Sequence, residues 1–193
     1  MQAEQLYYSP EEYLELEAAS VDRHEYIDGQ IILMPGGLPN HNRLTHKLAF
    51  LLEAILEGDA GYDIFVVDQR LWIPQRRIYT YPDMMVAANP LIFQEGRRDT
   101  ITNPVAIAEV LSKSTQEYDR GEKFAAYRTL PTLQEYLLVD PSQICVEQYI
   151  KTAANEWRYL IHDGATEAFS LASVPCSIAL SRLYQKVDFN AEA

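Results

Sequence analysis

The stretch Pro104-Val105-Ala106-Ile107-Ala108-Glu109-Val110-Leu111 constrains this chain more than any other. It is apolar throughout except for one acid. A run of this length and composition reads as a central strand covered on both faces. Side chains alternate along a strand, so Val105, Ile107, Glu109 and Leu111 share one face. A carboxylate among aliphatic neighbours loses its hydration, and leaving it ionised and unpaired is costly. Glu109 therefore calls for a cation, hydrogen-bond donors or water in a cleft, unless the strand end is exposed and it meets solvent or one basic partner.

The flanking sequence supplies the elements around that strand. Ser9-Pro10-Glu11-Glu12 opens a short helix with serine as N-cap and proline at its first position. HEYIDGQIILM reads as a hairpin turning at Asp28-Gly29. Asn40 can cap a helix over 41–57, because Leu44, Leu48, Leu51, Leu52 and Ile55 recur at helical spacing. IFVVDQRLWIP reads as one strand, Gln75-Arg76-Arg77 as a turn and IYTYPDMMVAA as a second strand; 89–103 reads as a loop. After 104–111 comes a helix ending near Arg128. It starts between Thr115 and Asp119, since Ser114…Glu117 and Asp119…Glu122 both have capping-box spacing. Glu135–Asp140 reads as a strand reached through that helical crossover, and CVEQYIK with WRYLIHD as a hairpin around Ala154-Asn155. The tail from Ser170 to Val187 is apolar enough to pack on the rest. The order predicts an α/β sandwich.

Two more residues join Glu109. Asp83 follows Pro82 on the preceding strand, 26 positions before Glu109 (109 − 83). Two carboxylates converging from adjacent strands make a hard, oxygen-rich site suited to Mg²⁺ or Mn²⁺. Lys123 shares a helix face with Asp119 and Tyr127, and that face can turn toward Glu109. A lysine there could assist a hydrolytic water; equally, Asp119 and Lys123 could be a solvated helix pair. Gly121 inside this helix suggests close backbone packing or a late start.

These residues resemble the PD-(D/E)XK, restriction-endonuclease-like nucleases, and more narrowly the Uma-type restriction-endonuclease family. The stretches HEYIDGQI, PNHNR, TYPDMMV, NPVAIAEVLSKSTQEYDRGEKFAAYR and LQEYLLVD carry the likeness, in the family's order. It implies an α/β (α+β) fold, a mixed β-sheet flanked by helices with an N-terminal and a C-terminal hairpin. It also implies Mg²⁺- or Mn²⁺-dependent hydrolysis of DNA phosphodiester bonds. By position, Asp83 resembles the aspartate of the PD element and Glu109 the acid of (D/E)XK, both as metal ligands. The lysine of that element is absent, since Leu111 stands in its place, and Lys123 resembles the family's migrated lysine. Glu25 matches the acid of the first hairpin, which implies a further metal or water ligand; the alternative is a strand-face pair with Arg23 or His24. His41 matches a position at the start of the first long helix, where it could contact phosphate or a carboxylate, or serve as a structural hydrogen-bond partner. His46 and His162 have no ligand spacing, and Asp68 with Arg70 reads as a packed or cross-strand pair.

Composition bounds the function. The 193 residues fit one domain with a core over about 9–187 and looser ends of roughly eight and five residues. Sixteen Lys and Arg against 28 Asp and Glu give a net charge of −12. The average field thus repels nucleic acid, so DNA binding needs a local basic patch, a divalent metal, a partner or low salt. Arg76, Arg77, Arg97 and Arg98 are candidate phosphate contacts. Cys145 and Cys176 lack zinc or CxxC spacing, which with the absence of a leader pattern or a membrane-length apolar run points to a cytoplasmic protein. Three readings compete: a metal-dependent endonuclease, expected to be a homodimer; a nuclease-fold protein without catalysis, acting as an interaction or oligomerisation module; and a two-carboxylate hydrolase such as a glycosidase.

Overall fold

The structure is a computed structural model describing residues 6–190. The expected loose ends lie partly outside that range; within it, the Tyr8 amide is already tied to the Gly29 carbonyl at 2.9 Å. Two mixed sheets and a small third one carry the chain. The first follows the order β2 (Gln30–Leu33), β1 (His24–Ile27), β5 (Ile78–Thr80), β4 (Arg70–Ile73), β7 (Thr100–Ile101). The second follows β11 (Glu156–His162), β10 (Val146–Ala153), β9 (Glu135–Val139), β8 (Pro104–Val110), β6 (Met84–Ala88), β3 (Tyr62–Val66). β12 (Ala168–Ser170) and β13 (Ser177–Ala179) form a separate pair.

β8 lies inside the second sheet, antiparallel to β6 and parallel to β9, and every residue of it is buried. The period of two sorts its neighbours onto two cores. Met84, Val86, Ala106, Ala108, Val110, Leu137 and Val139 face α2 (Pro39–Ile55), whose Leu44, Leu48, Leu51 and Leu52 cover them together with the tail residues Leu171, Ile178 and Leu183. Met85, Ala87, Ile107, Leu111, Tyr136 and Leu138 face the other way, toward Leu71, Ile73 and Ile78 of the first sheet and Ala126 and Tyr127 of α4 (Phe124–Tyr127). Glu109 is on this second face. α1 (Pro10–Ala19), closed by the reciprocal Ser9–Glu12 capping box, is held to the first sheet by Tyr13, which stacks on Tyr79 at 5.2 Å between ring centroids.

Several local expectations are corrected. The 64–74 segment is two strands in different sheets, because Val67 turns the backbone at φ 57° between β3 and β4. The 78–88 segment likewise divides at Tyr81-Pro82-Asp83, where Pro82 lacks the amide that a continuous ladder needs. The 89–103 loop contains β7, paired parallel to β4. α2 starts at Pro39 with Leu38 as its cap residue and ends at Ile55. Asn40 lies within it and instead donates to the Asp188 carbonyl at 2.8 Å, pinning the tail. Neither capping box of the later helix forms. That segment runs as α3 (Gln116–Tyr118), a π-helical turn (Asp119–Lys123) and α4. Gly121 packs closely against nothing: a Cβ there would have open space. Asp68 and Arg70 are not paired, since Asp68 meets Arg23 at 2.8 Å and Arg70 donates to the Tyr81 hydroxyl at 2.8 Å.

Candidate active site

β6 and β8 bring the two carboxylates together from neighbouring strand ends. Asp83, just before β6, accepts the Val110 amide on Oδ2 at 2.8 Å, and its own amide points at Glu109 Oε2 at 3.4 Å. Both lie at the edge of the second core, where a sheet interior gives way to a polar cluster. The Glu109 side chain is 4% exposed, and its Oε1 receives the Lys123 ammonium at 2.9 Å and the Tyr127 hydroxyl at 2.6 Å.

The π-helical turn positions the lysine. The segment Asp119–Lys123 is the π-helical turn, its Asp119 carbonyl accepts the Tyr136 hydroxyl at 3.1 Å, and such turns recur at functional sites. Lys123 Nζ lies 3.6 Å from Asp119 and 3.7 Å from Glu25, so one buried ammonium serves three carboxylates. Asp119 is further held by the Thr115 hydroxyl at 2.7 Å, and Glu25 by the Thr80 hydroxyl. The strand-face alternative for Glu25 is thereby excluded: Arg23 goes to Asp68, and His24 to Glu17 at 3.0 Å. His41, in the first turn of α2, meets Asp83 Oδ2 with Nε2 at 3.0 Å. Gly37 permits this approach, because a Cβ there would fall 2.7 Å from His41 Nδ1.

Electrostatics follow from burial and crowding. Burial pushes the Glu109 carboxyl up to about 8; Lys123 opposes this, while the charges of Asp83 and Asp119 add to it. Burial also raises Asp119. For Lys123, burial works against the charge, but Glu109, Glu25 and Asp119 outweigh it and hold the ammonium well above the ordinary lysine value. For His41, burial again opposes the charge, and the Asp83 hydrogen bond with its charge reverses the outcome, raising the imidazole.

The structure therefore gathers Asp83, Glu109, Lys123, Glu25 and His41 into one cluster. Sequence reasoning missed Thr80 and Thr115, the hydroxyls that fix two of the acids. Asp119 and Tyr127 were legible as sharing the lysine's face, though not as a buried carboxylate and the donor to Glu109. Of the arginines read as phosphate contacts, Arg97 is committed to Asp99 at 2.6 Å and Arg77 to Asp28 at 3.1 Å. Among the described residues, no three His, Cys, Asp or Glu side chains form a metal cage by themselves. The Asp83–Glu109 pair still suits Mg²⁺, which takes one or two carboxylates and keeps several waters. Asp83 Oδ1 takes no hydrogen bond among the described residues, and Glu109 Oε2 takes only the long amide contact.

Most of the chain resembles known proteins. The Uma2 family model, described as "Putative restriction endonuclease", matches residues 10–182. The chain is 46% identical over 146 residues to "Uncharacterized protein sll1609" of Synechocystis sp. (strain ATCC 27184 / PCC 6803 / Kazusa), covering 76% of this chain and 82% of that one. It is 37% identical over 183 residues to "Uncharacterized protein slr1290" of the same organism, covering 94% and 93%. The crystal structure of "a putative nuclease belonging to DUF820 from Anabaena variabilis ATCC 29413" superposes with a TM-score of 0.76 at 17% identity, over 92% of this chain and 98% of that one. At that identity the likeness establishes the fold. No helix among the described residues is long and apolar enough to cross a membrane. The chain belongs to the Uma2 family and has a restriction-endonuclease-like fold.

Proposed function

We propose that this protein is a metal-dependent endonuclease that hydrolyses DNA phosphodiester bonds at the Asp83–Glu109–Lys123 cluster. One observation carries the reading: Glu109, Glu25 and Asp119 surround the single ammonium of Lys123, and Asp83, hydrogen-bonded to the Val110 amide next to Glu109, adds a fourth carboxylate that meets His41. Such an excess of buried carboxylate is expensive, and the cluster must take up either protons or a divalent cation. A bound Mg²⁺ or Mn²⁺ would supply that charge, activate water and offset the negative charge that develops on phosphate. Asp83 Oδ1 and Glu109 Oε2 are the oxygens best able to hold it.

The remaining groups orient and balance. Tyr127 and Lys123 hold Glu109 by its other oxygen, and His41 with the Val110 amide holds Asp83. The Lys123 ammonium can stabilise a phosphate oxygen as it gains charge. Thr80 and Thr115 keep Glu25 and Asp119 directed at that ammonium. Cutting both strands of a duplex would need two such sites, so the active form in this reading is a homodimer. In a plasmid assay with Mg²⁺ or Mn²⁺, wild type nicks supercoiled DNA and Asp83→Ala loses roughly a hundredfold or more. Equal nicking by the two preparations would defeat the reading.

A second reading has one specific support. Lys123 and His41 already contact Glu109 and Asp83, and the chain carries −12 overall. A catalytically silent nuclease-fold module that acts through interaction or oligomerisation would need no metal. Absence of Mn²⁺ binding to the folded protein would select it.

A further inference from the structure

Six of the sixteen Lys and Arg residues form ion pairs with described carboxylates: Arg23, Arg70, Arg77, Arg97, Arg120 and Lys123. Others gather where no acid reaches. A notch of about 480 Å³ opens between the turn after β4, the end of α4 and the β10–β11 hairpin; Arg76, Arg128 and Lys151 line it, and no Asp or Glu does. Arg76 and Arg128 are exposed and make no ion pair with a described residue. Lys151 is half-buried, with Nζ 3.4 Å from the Pro131 carbonyl and 6.0 Å from the centre of the Trp157 ring. In a chain of net charge −12, three cations around one concavity leave a positive spot in a negative field.

We propose that this notch docks the phosphate backbone of a nucleic acid that also reaches the catalytic cluster. This rests on the endonuclease reading for its substrate and adds the surface that would hold it. The same two elements lead from the notch to the cluster. Arg128 directly follows Tyr127, the donor to Glu109. Arg76 is four residues before Thr80, the donor to Glu25, which is at most about 13 Å of extended chain. That corresponds to about four base-pair steps along a duplex axis. The arginine forks match phosphate oxygens, and the exposed part of the half-buried Trp157 lends an apolar wall against sugar or base. The acidic remainder of the surface then limits binding to this approach.

The test is fluorescence anisotropy with a labelled 20-base-pair duplex and the full chain in Ca²⁺, over a range of salt. Arg76→Gln/Arg128→Gln is compared with Arg158→Gln/Arg182→Gln, which removes the same charge from exposed positions outside the notch. The notch pair should weaken binding roughly tenfold and reduce the salt slope by about two, while the control pair stays within about twofold of wild type. Lys151→Gln reads the same notch independently and should weaken binding in the same direction. Melting curves establish that each variant is folded. Equal affinity and slope in notch and control pairs would overturn the proposal, as would a wild type that does not bind. Notch-dependent binding without nicking would leave the notch standing and defeat the endonuclease reading; nicking lost in Asp83→Ala with notch-independent binding would do the reverse.

Discussion

Asp83 and Glu109 are locked to each other through the backbone: the Asp83 amide faces Glu109 Oε2 at 3.4 Å, and Asp83 Oδ2 accepts the amide of Val110, the residue after Glu109, at 2.8 Å. The start of β6 and the end of β8 are thereby fixed relative to one another, and the carboxylates cannot separate without breaking the sheet edge. Their mutual repulsion is built into the fold, which makes it measurable as stability.

Replacing Glu109 should stabilise the metal-free protein. With its pKa at about 8 in the folded chain and near 4.5 otherwise, the group is protonated in both states below about pH 4.5. Between those values the unfolded chain has released the proton and the folded chain retains it, so stability falls as pH rises; above about 8 the loss is constant. Glu109→Gln removes this loss while keeping an acceptor for Tyr127 and Lys123. Its advantage over wild type in chemical denaturation should be small at pH 4.5, grow to on the order of a few kcal/mol by pH 8, and level off. An advantage independent of pH would contradict the assignment.

Removing the ammonium should do the opposite. Lys123→Met leaves Glu25 and Asp119 buried without their shared cation and Glu109 without one of its hydrogen-bond donors, and breaking a buried pair in this way costs about 3–5 kcal/mol. Denaturation at pH 7 checks it. Combining it with Glu109→Gln should recover part of the loss, since the two groups are coupled.

How much of this was readable in advance depended on whether a residue's role was local. Glu109 stood out because an acid interrupts an otherwise apolar strand, although the sequence left open an exposed strand end, which the structure excludes. The leucine spacing of α2 and the Asp28-Gly29 turn were legible for the same reason. The division of 64–74 and 78–88 between two sheets was not, because both halves have strand composition and the partner is chosen by tertiary packing. The π-helical turn was hidden as well: nothing in Asp119–Lys123 separates it from an ordinary helical turn, and its contact with the Tyr136 hydroxyl comes from a distant strand. Thr80 gave no signal, since threonine suits any strand and only the fold brings it to Glu25.

Thr80→Val tests that missed contact. The substitution keeps the shape and removes the hydroxyl donor from buried Glu25, at a cost of about 1–3 kcal/mol. Nicking should fall as well, because Glu25 would no longer be held toward Lys123. Unchanged melting would show that Glu25 does not depend on this donor.

A second buried acid separates structure from chemistry. Glu135 on β9 accepts the Ser173 hydroxyl at 2.6 Å, the Ser173 amide at 3.1 Å and the Ala172 amide at 3.0 Å, and it also meets Gln148. It staples the 171–176 loop to the sheet, away from the Lys123 cluster. Glu135→Leu should destabilise by roughly 2–4 kcal/mol through the donors it strands, with nicking by the folded fraction unchanged. A selective loss of nicking would place Glu135 in the chemistry.

The most direct test is calorimetric titration of the metal-free protein with Mn²⁺ at pH 7 in buffers of different ionisation enthalpy. The account predicts saturable binding of one ion per chain with release of about one proton, the one that Glu109 retains until a cation displaces it; Asp83→Asn should abolish the binding. A folded wild type that takes up no Mn²⁺, or an Asp83→Asn protein that binds it equally well, would contradict the account.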